Sequence, residues 1–217
     1  LQRGTQVLKE RCGNGDDDPG FRHFRYMISA MRRVYPRLAC TVIGLLYLLA
    51  PGLSASPAGV IPYSCLGGEA YVLLAFDPVS SRLGFGAFGG GRQGGESIAE
   101  TAAREMREET RCAFDGPTAA DLEASTPSNS GGFYSFVSQV PYIPQGEIPA
   151  SACDAAIERV DWQWIRLSDL LTALQGDDPR PQVLVSLMHR VVTLWEGAAE
   201  SLRQAQRDEL LHNNLCR

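Results

Sequence analysis

Glu105, Glu108 and Glu109 stand at i, i+3 and i+4, the spacing that brings side chains to one face of a helix. Arg104 and Arg107 adjoin them. A mixed-charge run of this kind is ordinarily a solvated face laced with Arg–Glu pairs. Two features point elsewhere. Like charges at this spacing repel mildly, and these lie toward the C-terminal end of the predicted helix, where the macrodipole disfavours anions. Three carboxylates there cost stability unless a cation neutralises them. Hard oxygen ligands converging on one spot suit Mg²⁺ or Mn²⁺, which keep several waters and grip phosphate oxygens.

The helix that must carry them is predicted from about Ser97 to Thr110. Ser97 followed by Glu100 is a capping box. Ile98, Ala102 and Met106, with Ala99 and Ala103 beside them, form an apolar stripe, and the three carboxylates are expected opposite it. A glycine-rich loop from Gly89 to Gly95 leads into the helix, and glycine lets the backbone approach a ligand closely.

Around this unit the chain reads as short strands with helices at separate points. Gly59–Cys65 and Tyr71–Phe76 are β-branched and aromatic, and Gly67-Gly68 separates them, as in two strands joined by a turn. Arg82–Phe88 is a third strand, weakened by Gly84 and Gly86. Asp115–Gly132 is polar and loop-rich, and Phe133–Ile143 is a strand. Val160–Leu167 is another, with Val160, Trp162 and Trp164 on one face, and a short helix starts at Ser168. A long helix is expected after Pro181, its core stripe formed by Leu184, Leu187, Met188, Val191, Trp195, Ala198 and Leu202. This arrangement favours an α+β fold, or layered α/β/α packing, over a doubly wound parallel sheet.

Composition bounds the rest. The chain has 217 residues, 44% hydrophobic and 21% charged, which excludes a disordered chain, a collagen-like one and a multi-span membrane protein. The net charge of −5 argues against a nucleic-acid partner, whose footprint is a basic face. That average hides a split. Residues 1–58 carry 8 basic and 4 acidic side chains, net +4, whereas residues 59–217 carry 12 and 21, net −9.

Residues 1–30 read as an unstructured leader. In 31–58, Arg32, Arg33 and Arg37 precede an uncharged apolar stretch from Leu38 to Ala50, and small residues follow up to Ala58. This is the pattern of a secretory signal, with cleavage after Ala58 fitting best. An uncleaved anchor touching a membrane through 38–50, or a buried helix, are the alternatives. The protein is exported or anchored on the first readings and cytoplasmic otherwise. Cys65, Cys112, Cys153 and Cys216 follow the leader, and in an exported chain one pair can bridge, although spacing does not say which. For Cys112 a buried, small apolar role is expected. Tyr63, Phe85, Tyr134 and Tyr142 can stack on a base, but core or strand-surface roles are favoured.

Gly90, five residues, Glu96, seven residues and then Arg104-Glu105-Met106-Arg107-Glu108-Glu109 together resemble the Nudix box of the Nudix hydrolases. With background residue frequencies of about 0.05–0.07, six fixed positions match by chance about 10⁻⁷ of the time per start. The box covers Gly90–Cys112, and the resemblance extends over about Gly59 to Leu171. It departs from the family pattern at Arg111, where glycine is usual, and at Phe88, where many members have proline.

The resemblance implies a single α/β/α sandwich with a mixed sheet and a divalent-metal-dependent hydrolase, cleaving a diphosphate linkage in a nucleoside diphosphate joined to another group. It implies Mg²⁺ or Mn²⁺ as cofactor, held by Glu105, Glu108 and Glu109. Arg104 would orient the glutamates, Glu96 would support the loop or a further metal, and Gly90 would let the loop pack against the helix. The general base would be Glu108 or Glu109, or a later carboxylate, for which Glu158 is the best candidate and Glu147 and Asp154 are weaker ones. Small-molecule diphosphates are the implied partners, with specificity in the loops at 115–132 and 144–157. A non-catalytic domain of this family that binds a nucleotide as a sensor is the rival reading.

Overall fold

The computed structural model describes residues 56–148 and 158–216. The predicted leader and the apolar stretch 38–50 lie outside these residues, as do Cys153 and Asp154. No helix among the described residues is long and apolar enough to cross a membrane.

Two nine-residue strands, β1 (Ala58–Leu66) and β2 (Glu69–Asp77), form an antiparallel hairpin with Tyr63 opposite Val72. Its turn, Gly67-Gly68, takes φ of 60° and 82°, a conformation in which side chains are strained. β1 is paired along one edge by β2 and by β4 (Phe88–Gly90), and along the other, in parallel, by β6 (Phe133–Gln139). β2 pairs with β3 (Gly84–Gly86) and β7 (Val160–Arg166), and β5 (Ser128–Ser130) pairs with β6. The sheet is mixed and open, as the expected α+β class requires.

Period-two alternation along β2 sorts its side chains between two cores. Tyr71, Leu73 and Ala75 pack with Ala99, Ala102 and Met106 of helix α1 (Ile98–Glu109). Val72 and Leu74 pack on the other face with α3 (Leu167–Leu174) and α4 (Glu196–Arg207). Helices therefore cover both faces of the sheet. The polar stretch 115–132 holds a short helix, α2 (Ala119–Glu123), opened by a Thr118–Asp121 capping box and fixed by the buried Leu122.

Three expectations are corrected. The predicted third strand is two, β3 and β4, which pair with different partners. Val160 does not share a face with the buried Trp162 and Trp164. Asp161 adopts φ 56°, the register with β2 shifts there, and Val160 is left exposed. The long helix after Pro181 is instead a hairpin of β8 (Gln182–Val185) and β9 (Arg190–Thr193), followed by α4. Leu184, Met188 and Val191 of the predicted stripe are 51%, 52% and 55% exposed, whereas Val183, Val185 and Val192 are buried. Burial there follows a period of two. Only Ala198 and Leu202 of that stripe lie on the buried face of a helix.

Candidate active site

Helix α1 starts as expected. The Ser97 Oγ accepts from the Glu100 N–H at 3.1 Å, and the Glu100 carboxylate accepts from the Ser97 N–H at 2.6 Å. Its C-terminal end is a Schellman motif, with Cys112 N–H donating to the Arg107 carbonyl and Arg111 N–H to that of Glu108. The Glu109 carbonyl accepts from the Trp162 indole at 3.2 Å. Arg111 thus occupies the position that favours glycine, at φ 56°. A Cβ in that region costs about 1 kcal/mol. Arg111→Gly is expected to stabilise the protein by about 1 kcal/mol, read as a higher urea midpoint at unchanged slope.

The carboxylates do not sit opposite the apolar stripe. Glu105 and Glu109 flank it and are 7% and 4% exposed, and only Glu108 is substantially open to solvent. Two guanidiniums divide them. Arg104 holds Glu96 through both carboxylate oxygens (2.8 and 3.2 Å), and one of its N–H groups lies 2.9 Å from both Glu105 Oε1 and Glu108 Oε2. A further N–H donates to the Gly91 carbonyl at 2.8 Å, which ties the glycine loop to the helix.

Glu109 belongs to a different cation. Its Oε1 accepts from Arg159 Nε at 2.8 Å and its Oε2 from the Gly89 N–H at 2.8 Å. Arg159 also reaches Asp77 at 3.0 Å. Neither Arg159 nor Asp77 figures in the sequence-based candidate set. Nothing local marks Asp77, and the one hint for Arg159 is its place next to Glu158.

Glu158 is exposed, yet its charge is one of the influences that raise the pKa of Glu105, for which burial is the largest cause. Glu147 is exposed and takes no part in the cluster, and Asp154 lies outside the described residues. Burial also pushes the Glu109 carboxyl up to about 7, against the pull of Arg159 and the Gly89 amide.

Glu96 shows the opposite shift. The Arg104 hydrogen bond is the main cause that lowers its pKa to about 2, with help from the Gln93 N–H and the Thr101 hydroxyl. A carboxylate depressed in the folded state contributes stability that is present above its ordinary pKa and lost as pH falls toward the folded value. Glu96→Gln is therefore expected to be less stable at neutral pH and to show a flatter acid limb between pH 4.5 and about 2. Thermal melts across that range check this.

Gly90 is required by contact. A Cβ there would lie 2.5 Å from Glu105 Oε1 and 2.6 Å from its Cδ. Beside the loop, a cavity of about 400 Å³ is bounded by Gly89–Gly91, Arg159, Phe133, Ser201 and Trp195. Tyr63, Phe85, Tyr134 and Tyr142, the expected stacking candidates, do not line it; Phe85 is in the core and Tyr142 tilts against Trp164. Cys65 bonds to Cys216 with Cα atoms 5.6 Å apart, and Cys112 is half-buried and disulfide-bonded, not a packed apolar side chain.

No protein-family model matches this chain, and no curated protein matches it. Solved structures similar to it include a Nudix hydrolase from M. smegmatis, RenU (15% identity, 76% of this chain and 92% of that one, TM-score 0.42). The NUDIX domain of Shewanella oneidensis NrtR in complex with ADP ribose matches at 15% identity, over 76% of this chain and 97% of that one, with a TM-score of 0.42. A C. elegans Ap4A hydrolase matches at 18% identity, over 54% and 82%, with a TM-score of 0.37. Likenesses this distant say nothing of function.

The carboxylates must therefore speak for themselves. Among the described residues no group of three or more His, Cys, Asp or Glu side chains is arranged to hold a metal ion. Guanidiniums sit among the carboxylates: Arg104 lies between Glu105 and Glu108, and Arg159 is bonded to Glu109. The donor chemistry still fits a hard cation. All donors are oxygens, and Glu105 Oε2 and Glu108 Oε1 accept no hydrogen bond among the described residues.

Proposed function

We propose that the protein is a divalent-metal-dependent hydrolase of the Nudix type, cleaving a diphosphate linkage in a nucleoside diphosphate joined to another group. One observation carries this reading: two buried carboxylates, Glu105 and Glu109, lie under a glycine loop that borders a cavity. Buried carboxylates are costly, and a charge-dense cluster beside a cavity is the signature of a working site.

In this reading Glu105 and Glu108 hold Mg²⁺ or Mn²⁺ through the oxygens not engaged by Arg104, with Glu109 alongside. When bound, the cation supplies neutralisation of the diphosphate oxygens and activation of a water. Arg104 orients Glu105 and Glu108 while fastening Glu96 and the Gly91 carbonyl, so Glu96 serves the loop. The base that takes the water's proton is Glu108, Glu109 or Glu158. The cavity between the loop and α4 takes the organic group, with Phe133 and Trp195 as its aromatic walls.

Glu108→Gln keeps the shape of the side chain and removes its charge. Against a panel of nucleoside diphosphate derivatives with Mg²⁺ or Mn²⁺, it is expected to lose about 10²-fold or more in kcat. Equal activity in the variant overturns this reading, and so does inactivity of both proteins across a broad panel. Binding of a nucleotide without turnover by the unsubstituted protein would favour the sensor alternative.

The Cys65–Cys216 bond supports folding in an oxidising compartment, which suits the export reading of 31–58. N-terminal sequencing of the mature protein tests it, with Gly59 as the expected first residue.

A further inference from the structure

We infer that Arg159 is a positioning residue that fixes the Glu109 carboxylate by bridging it to Asp77; the inference rests on the hydrolase reading above. Arg159 is 3% exposed. Its Nε donates to Glu109 Oε1 at 2.8 Å, one terminal N–H to Asp77 Oδ2 at 3.0 Å, and the other lies 3.5 Å from the Ala87 carbonyl. Glu109 Oε2 accepts from the Gly89 N–H. Both oxygens of a side chain with three rotatable bonds are thus held, one by the loop and one by a residue 50 positions away.

The division of labour is informative. Arg104 serves Glu96, Glu105 and Glu108 and makes no hydrogen bond to Glu109. Without Arg159, Glu109 would have the Gly89 amide alone. The far end of the bridge is also secured. Asp77 Oδ2 lies 2.8 Å from Arg82 Nε, so two guanidiniums and two carboxyl groups alternate along the bridge.

A purely structural role predicts less than this. Buried ion pairs are often no more stabilising than apolar residues of the same volume, so stability alone does not call for the bridge. Arg159 borders the cavity together with Gly89–Gly91, and the preceding residue, Glu158, acts electrostatically on Glu105. The step from 158 to 159 thus reaches two of the three glutamates.

Lysine at 159 keeps the charge and loses the planar fork, so it separates geometry from electrostatics. Asp77→Asn removes the anchor at the far end and, in these bonds, reaches Glu109 only through Arg159. The readout is binding of Mn²⁺ alone, followed by water-proton relaxation well below each melting temperature. Arg203→Lys is the control, since Arg203 donates to the carbonyls of Leu174, Gly176 and Asp178 away from the cluster.

Arg159→Lys and Asp77→Asn are each expected to weaken Mn²⁺ binding about 10–100-fold, the range for residues that orient metal ligands. Arg203→Lys is expected to leave it unchanged. Lowered melting temperatures with unaltered Mn²⁺ affinity would make Arg159 a core buttress and overturn the inference alone. If Arg159→Lys does not fold, Asp77→Asn decides by the same criterion. If the unsubstituted protein binds no Mn²⁺, the hydrolase reading fails first and the inference falls with it.

Discussion

Serine at both Cys65 and Cys216 is expected to lower the stability of the folded chain by about 3–5 kcal/mol, the upper end of what a single disulfide contributes. The bond joins residues 151 apart, from the end of β1 to the C-terminal segment. Closing so long a loop removes much of the freedom of the unfolded chain, and the entropy lost grows with the logarithm of loop length. Leu211 is buried in the same core, and Leu215 packs against it, so the bond also holds the chain beyond α4 onto the sheet. For a domain of this size the loss corresponds to a melting temperature lower by about 6–20 °C. Melting the unsubstituted protein with and without a reductant should give a shift at least as large, since a reductant also opens the disulfide of Cys112, and an unchanged melting temperature of the double variant would contradict the expectation.

Gly90→Ala is the second large effect, and it is expected in activity more than in stability. The added Cβ would fall 2.5 Å from Glu105 Oε1, so the carboxylate must retreat by about 1 Å to reach ordinary contact. A carboxylate at the tip of a side chain can do this cheaply, so the folding cost is expected to stay near 1 kcal/mol. Retreat nonetheless breaks the arrangement in which Arg104 spans Glu105 and Glu108. Misplacement of a reacting group by about 1 Å can cost about 10²-fold in rate. A fall of that size in kcat for diphosphate cleavage, with the melting temperature within a few degrees of normal, is the expected result. A large loss of stability with kcat preserved would mean that Gly90 serves packing alone.

How much of this was legible in the residues depended on whether the deciding contacts are local. The capping box at Ser97 and Glu100 needs only three residues of spacing, and it formed where expected. The hairpin of β1 and β2 was marked by its own turn. The segment after Pro181 was not legible, because Leu184, Met188 and Val191 fit a helical stripe while Val183 and Val185 fit a strand. Packing against α3 and α4 chose the second. The misplacement of Val160 has the same origin: a single residue, Asp161, in a left-handed conformation shifts the register, and alternation cannot reveal it.

The sequence by itself determined that a helix with three glutamates follows a glycine loop, and that an arginine stands next to the first of them. Periodicity along one helix suffices for that. The tertiary structure decided which carboxylate each guanidinium holds, which glutamates are withdrawn from water and which cysteines meet. Arg159 with Glu109, Asp77 with Arg159 and Cys65 with Cys216 are brought together across 50, 82 and 151 positions. The charge state and orientation of a buried group depend on whatever the fold places beside it, and no spacing along the chain encodes that neighbour.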